Sequence, residues 1–428
     1  MYNLSYRLIL IFCLALPLQI ALNPAPGIDL ASARVFSLVL FLIWLIEGLV
    51  QKKVSLPVGS QPLFILSFLF FASFSLFFSS NIEWGFRKIA FLLSFFPIYL
   101  IASTTCITFA RKINLIKNLV IGSVIVAVIG IIQFSLQYFV GIGTAYSWWG
   151  QNIAPIFLGK AFSQSVLENS SWLVNAGGMD FFRLISVFPD PHMFSFYLTM
   201  TFPFAFIFVL NTETRKKRLF WIISSLVILL ADLLTFSRGG YLGMAVCLFV
   251  LLGPIIFLIS PVKKMAFFFF SVCFFSVLAF WPNPITQRLS SSFDFSEGSN
   301  NGRIETWRQA IEVVQKNPLG VGIGNYPLTI KPSADYREPI YAHSIYLDIA
   351  VEMGILCLII WALLIISTLI SFWNTRKKSA IFLAGCASVA AFSTHALVEN
   401  PLFSVHVLPL FLMIIAIANY ETKEKNHA

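Results

Sequence analysis

The run Leu119–Phe139 reads LVIGSVIVAVIGIIQFSLQYF, carries no charged residue, and follows a stretch holding Arg111, Lys112 and Lys117. A helix of that length reaches about 30 Å, the thickness of a bilayer's hydrocarbon core. Inside lipid the backbone finds no water, so such a run satisfies its amides by coiling into a helix. The same pattern recurs on either side. It appears at Leu8–Leu22, Val35–Val50, Leu63–Phe78, Ile89–Thr105, His192–Leu210, Leu219–Thr235, Gly240–Ile259, Met265–Trp281, His343–Trp373, Ala380–Ala396 and Leu402–Tyr420. The reading is an all-α polytopic membrane protein of about twelve spans, a single integral membrane domain over residues 1–428. The run at His343–Trp373 exceeds one straight span, so it projects beyond the bilayer or tilts.

Composition points the same way. Of 428 residues, 58% are hydrophobic and 11% charged, against about 25% charged in a soluble domain. That excludes a soluble enzyme, a disordered chain and a secreted disulfide scaffold. The six cysteines lie within or beside apolar runs and form no CxxC, so they read as small apolar residues.

The formal net charge of +10 does not report a nucleic-acid partner, because the basic residues form short clusters between apolar runs. Lys52-Lys53, Arg111-Lys112, Arg215 to Arg218, Lys263-Lys264 and Arg376 to Lys378 fall in every second loop. Placing these loops in the cytoplasm, by the positive-inside rule, puts both termini there. That side then holds 17 of the 29 Lys and Arg but 4 of the 19 Asp and Glu.

Two loops on the opposite side are large. Residues 141–190 contain Trp148, Trp149, Trp172, Phe181 and Phe182, which suits an extracytoplasmic segment in the headgroup zone. Residues 282–342, between the ninth and tenth spans, form the largest polar stretch. Within it Ile304, Trp307, Ile311 and Val314 recur at helical spacing opposite Glu305, Arg308, Glu312 and Lys316, and Pro318 ends the pattern. This is an amphipathic helix lying on the membrane or over a cavity.

The unusual polar residues Arg183, Asp190, His192, Arg238, Arg303, His343, His395 and Glu399 all map to the outer ends of helices or to outer loops. For His343 two readings stand: an interfacial polar residue, or a general base near neutral pH. Arg303 is either a solvated charge or a bidentate clamp on a diphosphate. Arg238 is either half of an ion pair with Asp232 or an anion ligand. Asp348 and Glu352 read as carboxylates on the projecting, solvated end of the long tenth helix rather than a proton pathway. Gly320 to Asn325, GVGIGN, has neither a P-loop lysine nor a βαβ context and reads as a tight turn. No Walker motif, Asp-x-Asp pair or HExxH occurs, so neither ATP nor metal nor another cofactor is expected.

Four segments together resemble the O-antigen ligase and polymerase superfamily of bacterial membrane glycosyltransferases. They are Val187 to His192, Thr235 to Gly240, Gly320 to Asn325, and His343-Ser344 followed by Glu352-Met353-Gly354. Gly302-Arg303 with Trp307 resembles the Arg…Trp segment of the family's large outer loop, while His192 stands where the family more often has Asn. The resemblance covers about Phe188 to Gly354.

It implies a GT-C-like fold, a polyprenyl (undecaprenyl) diphosphate-linked glycan as donor, and an acceptor hydroxyl such as that of lipid A-core. Transfer takes place on the outer face of the bacterial cytoplasmic membrane, without metal or ATP. On this reading Arg303 and Arg238, with Arg183 as a third, neutralise the diphosphate, and His343 is the base. His395 and Glu399 orient the base or the sugar, Asp190 belongs to the substrate-binding set, and direct displacement inverts the anomeric centre. A polymerase or a protein O-oligosaccharyltransferase would differ only in acceptor. A transporter or flippase would spread its polar residues through the midplane, whereas here they gather at one rim.

Overall fold

The computed structural model describes residues 2–25, 28–168, 171–258, 284–290, 298–336 and 340–418. The span expected at Met265–Trp281 lies outside the described residues, as does part of the 282–342 loop. The described chain is a helical bundle with two short hairpins. Its helices are α1 (Asn3–Ala15), α2 (Ser32–Val50), α3 (Ser60–Phe74), α4 (Ile82–Phe95), α5 (Pro97–Thr105), α6 (Phe109–Val140), α7 (Ile142–Trp148), α8 (Ala154–Leu158) and α9 (Lys160–Glu168). There follow α10 (Pro191–Asn211), α11 (Arg215–Leu234), α12 (Arg238–Leu258), α13 (Pro284–Ser290), α14 (Gly298–Lys316), α15 (Tyr326–Ile330), α16 (Ile345–Met353), α17 (Ile355–Thr375), α18 (Ala380–His395) and α19 (Val407–Ala416).

Among the described residues, six stretches are long and apolar enough to cross a bilayer: Ser32–Val50, Ser60–Phe78, Ile82–Thr105, Phe109–Val140, Pro191–Asn211 and Ile355–Thr375. Shorter apolar helices lie at Asn3–Leu18, Arg238–Pro254, Ala380–His395 and Val407–Ala416. Most are dry on one side and present large aliphatic and aromatic residues outward, among them Leu49, Leu66, Phe70, Ile132, Phe249 and Ile366. That is the distribution of a chain solvated by lipid. Helix α10 is the exception. It is buried nearly all round and packs against α6, α11, α12 and α18, which makes it the central post.

Local chemistry sets the helix ends. Asn81, Thr108 and Asp190 accept amide bonds at the starts of α4, α6 and α10, the usual work of an N-cap. Pro97 divides one apolar run into α4 and α5, because it cannot donate to the preceding turn. The long run His343–Trp373 does not project as one helix. Gly354, at φ 89°, ends α16 and starts α17, and its Cα lies against the backbone of Leu319 where a Cβ would clash. Only glycine combines that conformation with that approach.

The aromatic residues of the 141–190 segment divide between surface and interior. Trp148 is half-exposed, but Trp149 and Trp172 are buried and pack with Tyr146 and Phe182 into a core of their own. Their indole N–H groups donate to the carbonyls of Ser186 (3.0 Å) and Pro189 (2.9 Å). A buried indole needs such a partner, and here the partners lie on the loop that leads to Asp190. The hairpin Leu173–Ala176 with Met179–Phe182 completes this cap over the start of α10, and a second hairpin pairs Ala21–Ala25 with Ile28–Ala31.

Helix α14 forms as expected, but its buried stripe is displaced. Ala310 is fully buried and Val313 and Val314 pack beside it, while Ile304 and Ile311 face outward. Arg303, Thr306, Trp307, Ala310 and Val313 share the inward face, which meets α16.

Candidate functional site

Four chain corners meet at one end of the bundle: the start of α10, the turn between α11 and α12, the segment before α16, and the loop after α18. The basic clusters Arg215 to Arg218 and Arg376 to Lys378 lie at the other ends of α11 and α17. A twenty-residue helix such as α11 puts about 30 Å between the two ends.

Glu399 is the hub. Its carboxylate is largely buried. Oε1 accepts from Arg303 Nη2 at 2.6 Å and lies 3.7 Å from His192 Nε2, and Oε2 is 3.3 Å from His343 Nδ1. Burial opposes its ionisation. The neighbouring imidazole of His192, the His343 hydrogen bond and the Arg303 guanidinium outweigh burial and hold the carboxyl well below its ordinary range. The same hydrogen bond raises His343 above its ordinary value, against burial and the Arg303 charge. With Nδ1 donating to Glu399, Nε2 of His343 carries the lone pair. The side chain is 46% exposed. His343 occupies the left-handed region at φ 51°, a cost that surroundings must impose on a non-glycine residue.

The α11–α12 turn carries a second such residue, Phe236 at φ 52°. Arg183 holds this turn. Its Nε donates to the Thr235 carbonyl (2.9 Å), Nη2 to Phe236 (3.2 Å) and Nη1 to Ser171 (3.1 Å). Burial, with the positive charge of Arg288 adding to it, pushes Arg183 down to about 9, and it stays charged at neutral pH. The turn delivers Ser237 and Arg238, the latter mostly buried at the first position of α12. Gly239 and Gly240 let α12 start against its neighbours. A Cβ on Gly239 would meet the His395 ring at 2.4 Å, and one on Gly240 the Ser195 hydroxyl at 1.9 Å.

Of the residues singled out in the sequence, Arg303, His343 and Glu399 share one carboxylate. Asp190 caps α10 through the amides of His192 (2.8 Å) and Met193 (2.9 Å), and desolvation pushes its carboxyl up to about 6 against those bonds. His192 joins the hub and also reaches the Ser237 hydroxyl through Nδ1 at 2.9 Å. His395 is fully buried, stacked on Phe196 at 3.6 Å, with Nε2 3.4 Å from Ser237. Asp232, considered beside Arg238, accepts from Ser195 Oγ.

Asp348 and Glu352 are not in water. Both are buried on α16. Asp348 accepts from the Ala342 amide and the Asn400 side chain, each at 2.8 Å, and Glu352 pairs with Lys88 Nζ at 2.8 Å. Their partners come from distant sequence, and the break at Gly354 turns α16 inward. Gly320, Gly322 and Gly324 all adopt positive φ in a tight turn against Ser79, Trp84 and the end of α16. Sequence reasoning overlooked Ser237, which joins His192 and His395, and Arg288, whose charge reaches Arg183. Neither a lone serine nor one arginine in a polar loop announces itself.

Comparison with known proteins bears on these residues. Residues 223–362 match the family described as O-antigen ligase, a span holding Arg238, Arg303 and His343. A ComP-specific O-oligosaccharyltransferase of Acinetobacter baylyi is 27% identical over 226 residues, 50% of this chain and 39% of the relative's length. The match thus spans about two fifths of that relative.

Proposed function

We propose that this chain, whose residues 223–362 match the O-antigen ligase family, is a glycosyltransferase that moves a glycan from an undecaprenyl-diphosphate carrier to an acceptor hydroxyl such as that of lipid A-core. The reaction takes place on the outer face of the bacterial cytoplasmic membrane, with both termini cytoplasmic. The observation that carries this reading is the shared carboxylate: Glu399 binds Arg303 on one oxygen and His343 on the other.

The acceptor oxygen attacks the anomeric carbon as the bond from that carbon to the diphosphate oxygen breaks. Lipid diphosphate leaves with the electron pair, and the acceptor's proton passes to Nε2 of His343. Glu399 keeps Nδ1 protonated and turned away, which fixes the tautomer and stabilises the imidazolium as it forms. Arg303 and Arg238, with the more distant charge of Arg183, oppose the negative charge that grows on the diphosphate. The configuration at the anomeric carbon inverts.

The test is reconstitution with purified undecaprenyl-diphosphate glycan and lipid A-core, without added metal or ATP. His343→Ala and Arg303→Ala each remove transfer while insertion and folding persist; full transfer by both variants would overturn the reading. The name of the Acinetobacter baylyi relative supports a second reading, a protein hydroxyl as acceptor. Offering a pilin-like protein beside lipid A-core separates the two.

A further inference from the structure

His343 and Glu399 sit on two loops with no covalent link nearer than the helices between them, yet their side chains must meet within a few tenths of an ångström. The main chain supplies part of the join: the Ile345 amide lies 3.1 Å from the Ala396 carbonyl and 3.2 Å from that of Glu399. The rest comes from one buried side chain. Asp348 Oδ1 accepts from the amide of Ala342, the residue before His343, and Oδ2 accepts from Nδ2 of Asn400, the residue after Glu399. Asn400 is fixed in turn, because its Oδ1 accepts from the Leu402 amide at 3.0 Å.

Resting on the functional reading above, we propose that Asp348, through Asn400, is the positioning residue of the site: a carboxylate that ties the flank of the base to the flank of the carboxylate orienting it. The left-handed conformation of His343 fits this role. A strained residue needs its neighbours fixed on both sides, and Ala342 and Ile345 are the residues so held. Asp348 cannot serve as a substrate ligand at the same time, since both oxygens are engaged within the fold. The charged and titratable groups facing it are Glu352 one turn on, Lys88 from α4, and Tyr341 and Tyr326 from the segments before α16. Lys88 is held by Glu352 and lies over the rings of Phe403 and Tyr341. Those facing His343 are Glu399, Arg303 and Asp348 itself.

The hydrogen-bond pattern sets the experiment. Asp348→Asn turns an acceptor into a donor, so an amide meets either the Ala342 amide or the Asn400 amide. Pairing it with Asn400→Asp restores acceptor against donor with the same total charge. Asn400→Ala is the milder variant should Asp348→Asn fail to fold.

Two readouts are taken on full-length protein in detergent. The first is the pH dependence of diethyl pyrocarbonate modification of His343, followed by mass spectrometry, which requires no transfer activity. The second is kcat for transfer from undecaprenyl-diphosphate glycan. The expected result is a titration of His343 displaced toward its ordinary value of 6.5 in both single variants, and a kcat about 10- to 100-fold lower at unchanged KM for the donor. The double variant should recover most of both.

Wild-type titration and kcat in both single variants would overturn the proposal, as would a double variant no better than Asp348→Asn. Transfer by His343→Ala would instead remove the role of the base, and the modification profile would still decide whether Asp348 positions the imidazole.

Discussion

The turn at Phe236 and the corner at His343 place a non-glycine residue at nearly the same positive φ, 52° and 51°, and each is braced by a buried polar side chain, a donor in one case and an acceptor in the other. At Phe236 the holder is a cation, Arg183, whose donors go to carbonyls. At His343 it is a carboxyl group, Asp348, pushed up to about 7 by burial, which accepts from an amide and a side chain. Phe236 is 2% exposed and stacks on Phe181, whereas nearly half of the His343 side chain is open. The first corner is closed on all sides and serves to deliver Arg238. The second leaves one ring nitrogen without a hydrogen-bond partner among the described residues, which is what proton transfer requires. Strain of equal kind thus holds a closed turn in one place and an accessible imidazole in the other.

The largest expected effect lies at the closed corner. Arg183→Met leaves the carbonyls of Thr235 and Phe236 buried without these donors, at about 1–3 kcal/mol each. Folded protein on size-exclusion chromatography should fall sharply, and Arg183→Lys, which keeps the charge without the fork, should recover only part. Glu399→Gln acts at the open corner. Transfer should drop on the order of 100-fold.

The rate should also change its pH dependence, with the sign set by the two shifts. His343 is raised in the folded protein, so its pairing is complete below 6.5 and is lost as pH rises through the raised value, while base activity grows over that same rise. Glu399 is lowered, so its contribution persists from neutral pH well into acid. Without the Glu399 charge the acidic limb of the rate profile should move to lower pH.

Gly240→Ala tests the closed corner more gently. The new methyl meets the Ser195 hydroxyl and costs about 1–3 kcal/mol, which thermal unfolding would register and Ser195→Ala should partly relieve. The smallest effect is expected where neither corner is touched: Ile304→Ser on the outward face of α14 should change stability by less than about 0.5 kcal/mol.

That last substitution marks where the sequence was hard to read. Hydropathy shows which residues are apolar but not what they pack against, so Ile304 and Ile311 took the place in the stripe that Arg303, Thr306 and Ala310 occupy. The apolar runs were legible because twenty uncharged residues have few ways to satisfy their backbone except as a helix. Arg303, His343 and Glu399 could be named because charged and imidazole side chains at the ends of apolar helices are costly and stand out. Their convergence on one carboxylate could not be, and neither could the burial of Asp348 and Glu352. Asn400 and Lys88 lie 52 and 264 residues from the carboxylates they meet, and no local pattern encodes such a pairing. Gly354 was equally silent, because a glycine inside an apolar run can bend, pack or end a helix, and only the approach of Leu319 decides which.

The account rests on His343 taking the acceptor's proton under the hold of Glu399. Single-turnover transfer measured across pH with wild-type protein, Glu399→Gln and His343→Ala tests that most directly. The account predicts an acidic limb in the wild type that sits above 6.5, lies lower in Glu399→Gln, and disappears with the rate in His343→Ala. A His343→Ala variant that transfers at the wild-type rate with the same limb would contradict it.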